Sequence, residues 1–184
     1  NTSTKRGGGI YCGHNNGNLA NCIFINNAAI NNVGGAIYFA GHNTKIANCN
    51  FINNTGHSTG GVQWDAHNGI LINCNFTGNS ATDSNGAVRW TGANGKLISS
   101  TFTNNIAKNG DAGAVSWGIN PGIIINSTFI NNFASNSGGA IMWTSNAANG
   151  KVTNCTFTNN RANNNGGGLQ WNGANGTLTN SSFT

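Results

Sequence analysis

Charged residues are scarce in this sequence, and acids are the scarcest. Charged side chains make up 6% of the 184 residues, glutamate is absent, and the acids are Asp65, Asp83 and Asp111. Polysaccharide lyases and glycoside hydrolases need paired carboxylates, or calcium-binding acids beside a base. Asp83 and Asp111 fall in loops of adjacent repeats, but the repeat fixes no basic partner beside them. We therefore expect no enzyme activity, and polysaccharide cleavage is the weakest alternative.

Runs of basic residues and long apolar segments are missing as well. The net charge of +5 comes from eight scattered lysines and arginines, whereas a nucleic-acid-binding protein needs a basic stripe. Lys45, Lys96 and Lys151 share one repeat position but lie in alternate repeats, which is typical of a solvated face. No signal peptide or membrane-spanning run is present. We predict no nucleic-acid partner, no membrane insertion of this segment, and a mature or excised piece of chain.

Metal-ligand spacings are also lacking. No CxxC pair occurs among the five cysteines, which argues against structural zinc, and an odd number does not suit a disulfide framework. Four of the cysteines occupy the same position of the repeat: Cys22, Cys49, Cys74 and Cys155. The other three repeats have serine at this position. We predict free inward thiols, although neighbours in this column could be bonded. We predict no cofactor.

A histidine follows the first strand in each of three successive repeats, at His14, His42 and His67. Stacked imidazoles could bind a transition metal with water completing its shell. Plain exposed turn residues are the alternative that we favour, so we predict no metal site.

What the sequence does contain is a repeat of about 26 residues, marked by three hydrophobic columns. One is Phe24, Phe51, Phe76, Phe102, Phe129, Phe157 and Phe183, with spacings of 27, 25, 26, 27, 28 and 26 residues. A second is Cys12, Phe39, Trp64, Trp90, Trp117, Trp143 and Trp171. The third is Leu19, Ile46, Leu71, Leu97, Ile124, Val152 and Leu178. Three columns predict three walls around one core. We expect the phenylalanines and the tryptophans to stack from coil to coil inside it.

The columns alternate with polar residues at period two, the pattern of short strands. Ile141 and Trp143 point inward, so the mixed column that contains Met142, Tyr38 and Gln63 is expected to face water. No helical period occurs. The sequence predicts an all-β, right-handed parallel β-helix of about seven coils with three strands per coil, one solenoid domain over residues 1–184.

Asparagine is expected at the bends between strands, since it is the commonest non-glycine residue at positive φ. One bend, three residues before each core phenylalanine, carries Asn21, Asn48, Asn73, Asn126, Asn154 and Asn180, with Ser99 in the remaining coil. Stacked amides there can hydrogen-bond between coils, so we predict an internal asparagine ladder. Asn126, Asn154 and Asn180 are also N-glycosylation sequons that burial would protect, whereas Asn53 and Asn75 are expected to be better acceptors.

Gly-Gly-Ala-Ile, as in 34–37 and 138–141, together with Phe-x-x-Asn once per coil, resembles the repeats of chlamydial polymorphic outer-membrane proteins. It is also similar to repeats of the adhesin-like surface proteins of methanogenic archaea. The resemblance spans all seven coils. It implies a secreted or cell-surface β-helix that works by contact, with a cell-surface or glycan receptor as its partner.

Residues beside the core phenylalanines become threonine-rich toward the end of the chain, as at Thr101, Thr103, Thr128, Thr156 and Thr158. A flat outward threonine face resembles that of ice-binding solenoids. An ice- or carbohydrate-binding module that uses this face is therefore the alternative function, although threonine suits exposed strands in any case.

Neither end of the sequence carries an amphipathic helix or polar cap, which open solenoids normally need. Joined head to tail, Phe183 and Thr184 would precede Asn1 and Thr2, and Phe183 would reach Ile10 in 11 steps, within the observed range. We therefore expect uncapped, self-associating ends. The chain is a polymerising subunit or a piece of a longer solenoid, and its predicted function is that of an extracellular adhesin-type stalk or stacked filament.

Overall fold

The protein is an all-β parallel solenoid of seven coils. The computed structural model describes residues 1–119 and 121–184. Every strand pairs in parallel with its equivalent one coil away, and four sheets of seven strands run along the molecule. The predicted parallel solenoid is thus confirmed, and each coil has four strands instead of the expected three. No helix in the described part of the chain is long and apolar enough to cross a membrane.

The four sheets follow one another around each coil in the order A, B, C, D. Sheet A contains Thr2–Ser3, Ala28–Ala29, Thr55–Gly56, Ser80–Ala81, Ile106–Ala107, Phe133–Ala134 and Arg161–Ala162. Sheet B contains Ile10–Cys12, Ile37–Phe39, Val62–Trp64, Val88–Trp90, Val115–Trp117, Ile141–Trp143 and Leu169–Trp171. Sheet C contains Asn18–Ala20, Lys45–Ala47, Ile70–Ile72, Gly95–Ile98, Gly122–Ile125, Lys151–Thr153 and Thr177–Thr179. Sheet D contains Ile23–Ile25, Asn50–Ile52, Asn75–Thr77, Thr101–Thr103, Thr128–Ile130, Thr156–Thr158 and Ser182–Phe183.

The strands of sheet A were not predicted from the sequence pattern. Its strands have only two residues, and the inward residue is small, as in Ala29, Gly56 and Ala81, all fully buried. A column of alanine and glycine lacks the bulky apolar signature of a strand. The loop of variable length that leads from each Phe-x-x-Asn to sheet B begins only after this short strand.

Two aromatic columns fill the core. The phenylalanines of sheet D stack with ring centroids 4.4–5.0 Å apart and nearly parallel planes. Phe39 and the five tryptophans of sheet B stack in the same way, 4.5–5.1 Å apart. The spacing is that of neighbouring parallel strands, about 4.8 Å, so each ring rests on its equivalent in the next coil. The aliphatic column of sheet C closes the third wall.

Small polar side chains fill the corner between sheets C and D. The Cys74 thiol donates to the carbonyl of Ile72 and lies 3.5 Å from the backbone nitrogen of Cys49. Ser100 has the same two contacts in the next coil, to Ile98 and Cys74, because its hydroxyl can both donate and accept. All five cysteines are free, and burial raises the pKa of the Cys74 thiol to about 12. The thiols therefore serve as spacers with a weak hydrogen bond.

The asparagines of the predicted ladder lie at the bend, but on the outside. Each takes a left-handed conformation, with φ between 48° and 56° at Asn21, Asn48, Asn73, Asn126, Asn154 and Asn180. All six are exposed, so the prediction that they form an internal ladder is wrong. Some amides still bond between coils on the surface, as Asn73 does to Asn48. Sequon asparagines 126, 154 and 180 are consequently as exposed as Asn53 and Asn75.

A buried asparagine ladder exists at a different position, the last residue of each Phe-x-x-Asn. Its members are Asn27, Asn54, Asn79, Asn105, Asn132 and Asn160. Asn105 is fully buried; its amide nitrogen donates to Asn132 Oδ1 and to the carbonyl of Phe76, both at 3.0 Å. Its Oδ1 accepts the backbone and side-chain N–H groups of Asn79, also at 3.0 Å. Both donors and the acceptor of the amide are thus satisfied between coils in the four inner members, Asn54, Asn79, Asn105 and Asn132.

The glycine of each Asn-Gly turn makes room for an indole. At this turn the asparagine takes the left-handed conformation, as with Asn94 at φ 60°. A Cβ on Gly95 would fall closer than 3.0 Å to the Trp90 indole. The same relation to a tryptophan holds for Gly69, Gly150 and Gly176, and for Gly122, which follows Pro121 in place of asparagine. Glycine is therefore required by side-chain packing here, in addition to turn geometry.

Coil 2 shows how the packing changes where the smaller phenyl ring of phenylalanine takes the place of the indole. Phe39 replaces tryptophan, and buried Thr44 occupies the glycine position. The Thr44 hydroxyl accepts a 2.8 Å hydrogen bond from Trp64 Nε1 of the next coil. Within the part of the chain that the structure describes, the equivalent indole nitrogens of Trp90 and Trp117 are buried without a partner, since glycine supplies no acceptor. The same space in the core is thus filled either by a tryptophan with a glycine or by a phenylalanine with a threonine.

This coupling can be tested in coil 4. We expect Gly95→Ala, and separately Trp90→Phe, to lower the free energy of unfolding by about 1–3 kcal/mol each, through overpacking and a cavity respectively. The double variant Trp90→Phe with Gly95→Thr copies coil 2 and offers the Trp117 indole an acceptor. It should lose clearly less than the sum of Trp90→Phe and Gly95→Thr in denaturant unfolding. Strictly additive losses would contradict the coupling.

An asparagine of the buried ladder and an exposed asparagine of sheet D are expected to have unequal mutational costs. Asn105→Ala removes four inter-coil hydrogen bonds and leaves buried groups unpaired, so we expect a loss of about 3 kcal/mol or more in the free energy of unfolding. Asn75→Ala, the matched control, removes one exposed bond to Asn50 and should cost less than about 1 kcal/mol. Equal costs, measured by urea unfolding, would mean that the buried ladder is not the stabilising one.

Candidate functional site

The outer face of sheet B forms the floor of a groove. Its middle column was expected to face water, yet Tyr38, Gln63 and Ser116 are only 3%, 2% and 7% exposed. That expectation is wrong for these three residues because the loops from sheet A to sheet B fold over them, whereas Met142 in the same column is partly exposed. Thr59 in one such loop donates a 2.7 Å bond to Gln63. Residues that follow sheet B form the other wall, so polar side chains line a sheltered channel.

Asp65 is the centre of a hydrogen-bond network in this groove. Its carboxylate accepts bonds from the Tyr38 hydroxyl at 2.8 Å, from the Thr91 hydroxyl at 2.6 Å and from the Gln63 amide. Burial pushes the pKa of Asp65 up, but these three bonds and the Arg89 charge together outweigh it and hold the pKa below its usual value. Burial, followed by the bond to Asp65, raises the pKa of Tyr38 to about 12.

Further along the groove lies a polar cavity of about 220 Å³. Asp83 and Asp111 both line it, as their adjacent loops suggested, and Arg89 and Ser116 form its floor. Asp111 Oδ1 accepts bonds from Asn136 Nδ2 at 2.7 Å and from the backbone N–H of Ser137 at 2.9 Å. Arg89 could not be placed with these acids from the sequence alone, because the loop that brings them over sheet B has no repeat pattern.

The first coils add an aromatic end to the groove. Tyr11 and Tyr38 stack with ring centroids 5.4 Å apart, and the Arg6 guanidinium lies 4.7 Å from the centre of the Tyr38 ring. Tyr11 is 57% exposed. The groove therefore offers a flat, accessible aromatic surface at one end and a polar cavity toward the other.

The histidine column uses one nitrogen of each stacked ring for the backbone. His42 and His67 stack 5.0 Å apart, and their Nδ1 atoms accept the N–H groups of His67 and Ala93 at 3.0 and 2.8 Å. A metal on Nε2 would require a proton on Nδ1, where it would oppose those N–H groups. The geometry therefore favours the turn role. Within 1–119 and 121–184, no three potential metal-ligating side chains cluster together.

The threonine-rich face lies on sheet D, as expected. Thr101, Thr128 and Thr156 form one row, and Thr103 and Thr158 belong to the next, where Ile130 lies between them. The hydroxyls of Thr158 and Thr184 lie 3.1 Å apart. The face is regular in spacing but mixed in chemistry.

The residues of the predicted self-associating ends lie at opposite ends of the solenoid. Thr2 pairs with Ala28, and Asn1 bonds to the buried ladder through Asn27 at 3.1 Å, while Ile10 lies in the first strand of sheet B. Phe183 stacks on Phe157 with 47% of its surface exposed. Thr184 donates its backbone N–H to the carbonyl of Phe157.

The Tyr38–Asp65 pair can be tested by titration. In a Tyr11→Phe background Tyr38 is the only tyrosine, and its absorbance at alkaline pH should give a pKa of about 12. Adding Asp65→Asn removes the charged acceptor, so the pKa should fall while burial keeps it above the ordinary value of about 10. Asp83→Asn is the control and should leave it unchanged. A Tyr38 pKa near 10 in the background protein would contradict the network.

Comparison with known proteins gives one match. The Chlamydia polymorphic membrane protein repeat matches residues 126–142 and 154–170. Each matched segment begins at an exposed bend asparagine, crosses sheets D and A, and ends within sheet B, just before the tryptophan. No curated protein and no solved structure matches the chain. The chlamydial part of the predicted resemblance is thereby supported for these segments, and the resemblance to archaeal adhesin-like proteins stays a prediction.

Proposed function

We propose that this protein is a surface adhesin-like repeat protein, with the solenoid serving as an outward-projecting stalk. The observation that carries the proposal is the match of two successive coils to the Chlamydia polymorphic membrane protein repeat, on a parallel solenoid with the same units in every coil. The name of that family supports association with an outer membrane or cell surface. We propose no enzymatic activity and a right-handed winding, which parallel crossovers nearly always take.

The construction of the core suits a stalk. Four continuous sheets, two aromatic stacks and a satisfied asparagine ladder run along the coils. Seven coils at about 4.8 Å each give a length of roughly 34 Å. A solenoid of this kind contacts only neighbouring repeats, so adding coils lengthens the rod without changing the core.

A stacked filament is the second candidate. The last coil exposes 47% of Phe183 and 45% of Leu178, and the first exposes 64% of Ile23. An exposed strand edge with apolar residues beside it is a template for further strands. Either more coils of the same chain or a second copy, joined through Phe183, Thr184, Asn1, Thr2 and Ile10, would cover these residues. A flat-face binding module on sheet D stays a weaker alternative, since isoleucines interrupt its threonine rows.

Immunogold electron microscopy of the source cells, with a denaturing gel of the intact polypeptide, tests both forms. A stalk predicts label at the cell surface and a polypeptide much longer than 184 residues. A filament predicts fibres with an axial repeat of about 34 Å built from a short chain. In the purified chain, Phe183→Asp should then abolish fibres, whereas Ile106→Asp, an exposed mid-solenoid control, should not. Label confined to the cell interior would overturn the proposed function.

A further inference from the structure

We propose that the polar cavity in the groove over sheet B binds one neutral sugar residue of a glycan. This inference rests on the proposed adhesin-type function and names its ligand class. The cavity lies over coils 4 to 6 and is lined by Asp83, Asn85, Arg89, Asp111, Ser116 and Met142, among others.

The floor of the cavity holds a serine hydroxyl without a hydrogen bond to any described residue. Ser116 is only 7% exposed, and no hydrogen bond among residues 1–119 and 121–184 engages its side chain. The hydroxyl oxygen is not one of the fully buried atoms that lack a partner, so it is open to the cavity and can bond with a molecule there. Asn85, 4% exposed, is held in place by a 2.8 Å bond from its amide to the carbonyl of Ser58. The cavity thus has fixed walls before any ligand enters.

The charged groups of the cavity fit a polyhydroxyl ligand. Within the described residues, no hydrogen bond or ion pair occupies the Asp83 carboxylate or the Arg89 guanidinium. Each Asp83 oxygen can accept a hydrogen bond from a hydroxyl, and the Arg89 guanidinium can donate two parallel hydrogen bonds to adjacent oxygens. Neighbouring hydroxyls of a sugar both donate and accept, so they suit this pair.

The charge balance selects among sugars. Two carboxylates, Asp83 and Asp111, face one guanidinium, so the cavity has a net negative charge at neutral pH. An acidic sugar would place a further carboxylate or sulfate near these oxygens at an energetic cost. A neutral sugar meets no such repulsion.

Size and shape agree with a single ring. The volume of about 220 Å³ is below the about 300–1,000 Å³ of sites for drug-sized ligands. Met142, partly exposed on the floor, offers a polarisable apolar contact for the C–H face of a ring. The exposed Tyr11 ring, in coil 1 on the outer face of sheet B, is a separate stacking surface for a sugar.

Glycan-array binding by the purified 184-residue chain, followed by calorimetric titration with the best neutral oligosaccharide, tests the inference. Two variants attack the cavity. Arg89→Gln removes the guanidinium, and Ser116→Gln fills the space with a side chain that the same column accepts at Gln63 and Gln170. Arg161→Gln, on the outer side of sheet A, makes the same chemical change as Arg89→Gln outside the groove. Thermal unfolding of each variant confirms that it is folded.

We expect binding to neutral glycans that weakens about tenfold or more in Arg89→Gln and in Ser116→Gln, with no change in Arg161→Gln. Lack of binding to every glycan, equal affinity in all variants, or a preference for acidic glycans that salt abolishes would each overturn the sugar site. None of these results affects surface labelling of the source cells, so the proposed stalk would survive them. Label confined to the cell interior would instead overturn the stalk, whatever the array shows.

Discussion

The whole structure depends on one constraint, that each inward side chain must rest on its equivalent one strand spacing away. Rings 4.4–5.1 Å apart satisfy it for phenylalanine and tryptophan. Amides satisfy it through the ladder, where Asn105 and its neighbours exchange hydrogen bonds with no group left over. Because the same contact recurs in every coil, the identity of an inward residue is constrained more by its equivalents in adjacent coils than by its neighbours in sequence.

The indole–glycine pairing shows how closely this packing is specified. Trp90 occupies the volume in which a Cβ of Gly95 would lie, and the exchange to Phe39 and Thr44 alters both positions together. The exchange also supplies a hydrogen-bond acceptor to Trp64, whereas Trp90, Trp117 and Trp171 have none among the described residues. The core thus tolerates unpaired indole nitrogens in exchange for continuous stacking.

The outer face of sheet B has no such constraint, and there the chain varies. Tyrosine, glutamine, arginine, serine and methionine follow one another in its middle column, and loops of differing length cover them. This freedom allows one stretch of a uniform rod to carry a cavity with Arg89, Asp83 and Ser116. In a repeat protein, a binding site is expected where the repeat is broken.

The amino-acid sequence by itself determined the parallel solenoid, its seven coils and its aromatic columns, because a regular period with alternating apolar residues has few other solutions. It did not determine which asparagine column is buried, since positive φ and a repeating amide suit a surface bend as well as an internal ladder. Only the tertiary structure decided that Asn105 lies inside and Asn73 outside. Sheet A and the groove over sheet B could likewise be identified only from the tertiary structure, because small residues and irregular loops acquire their role from the chain that packs against them.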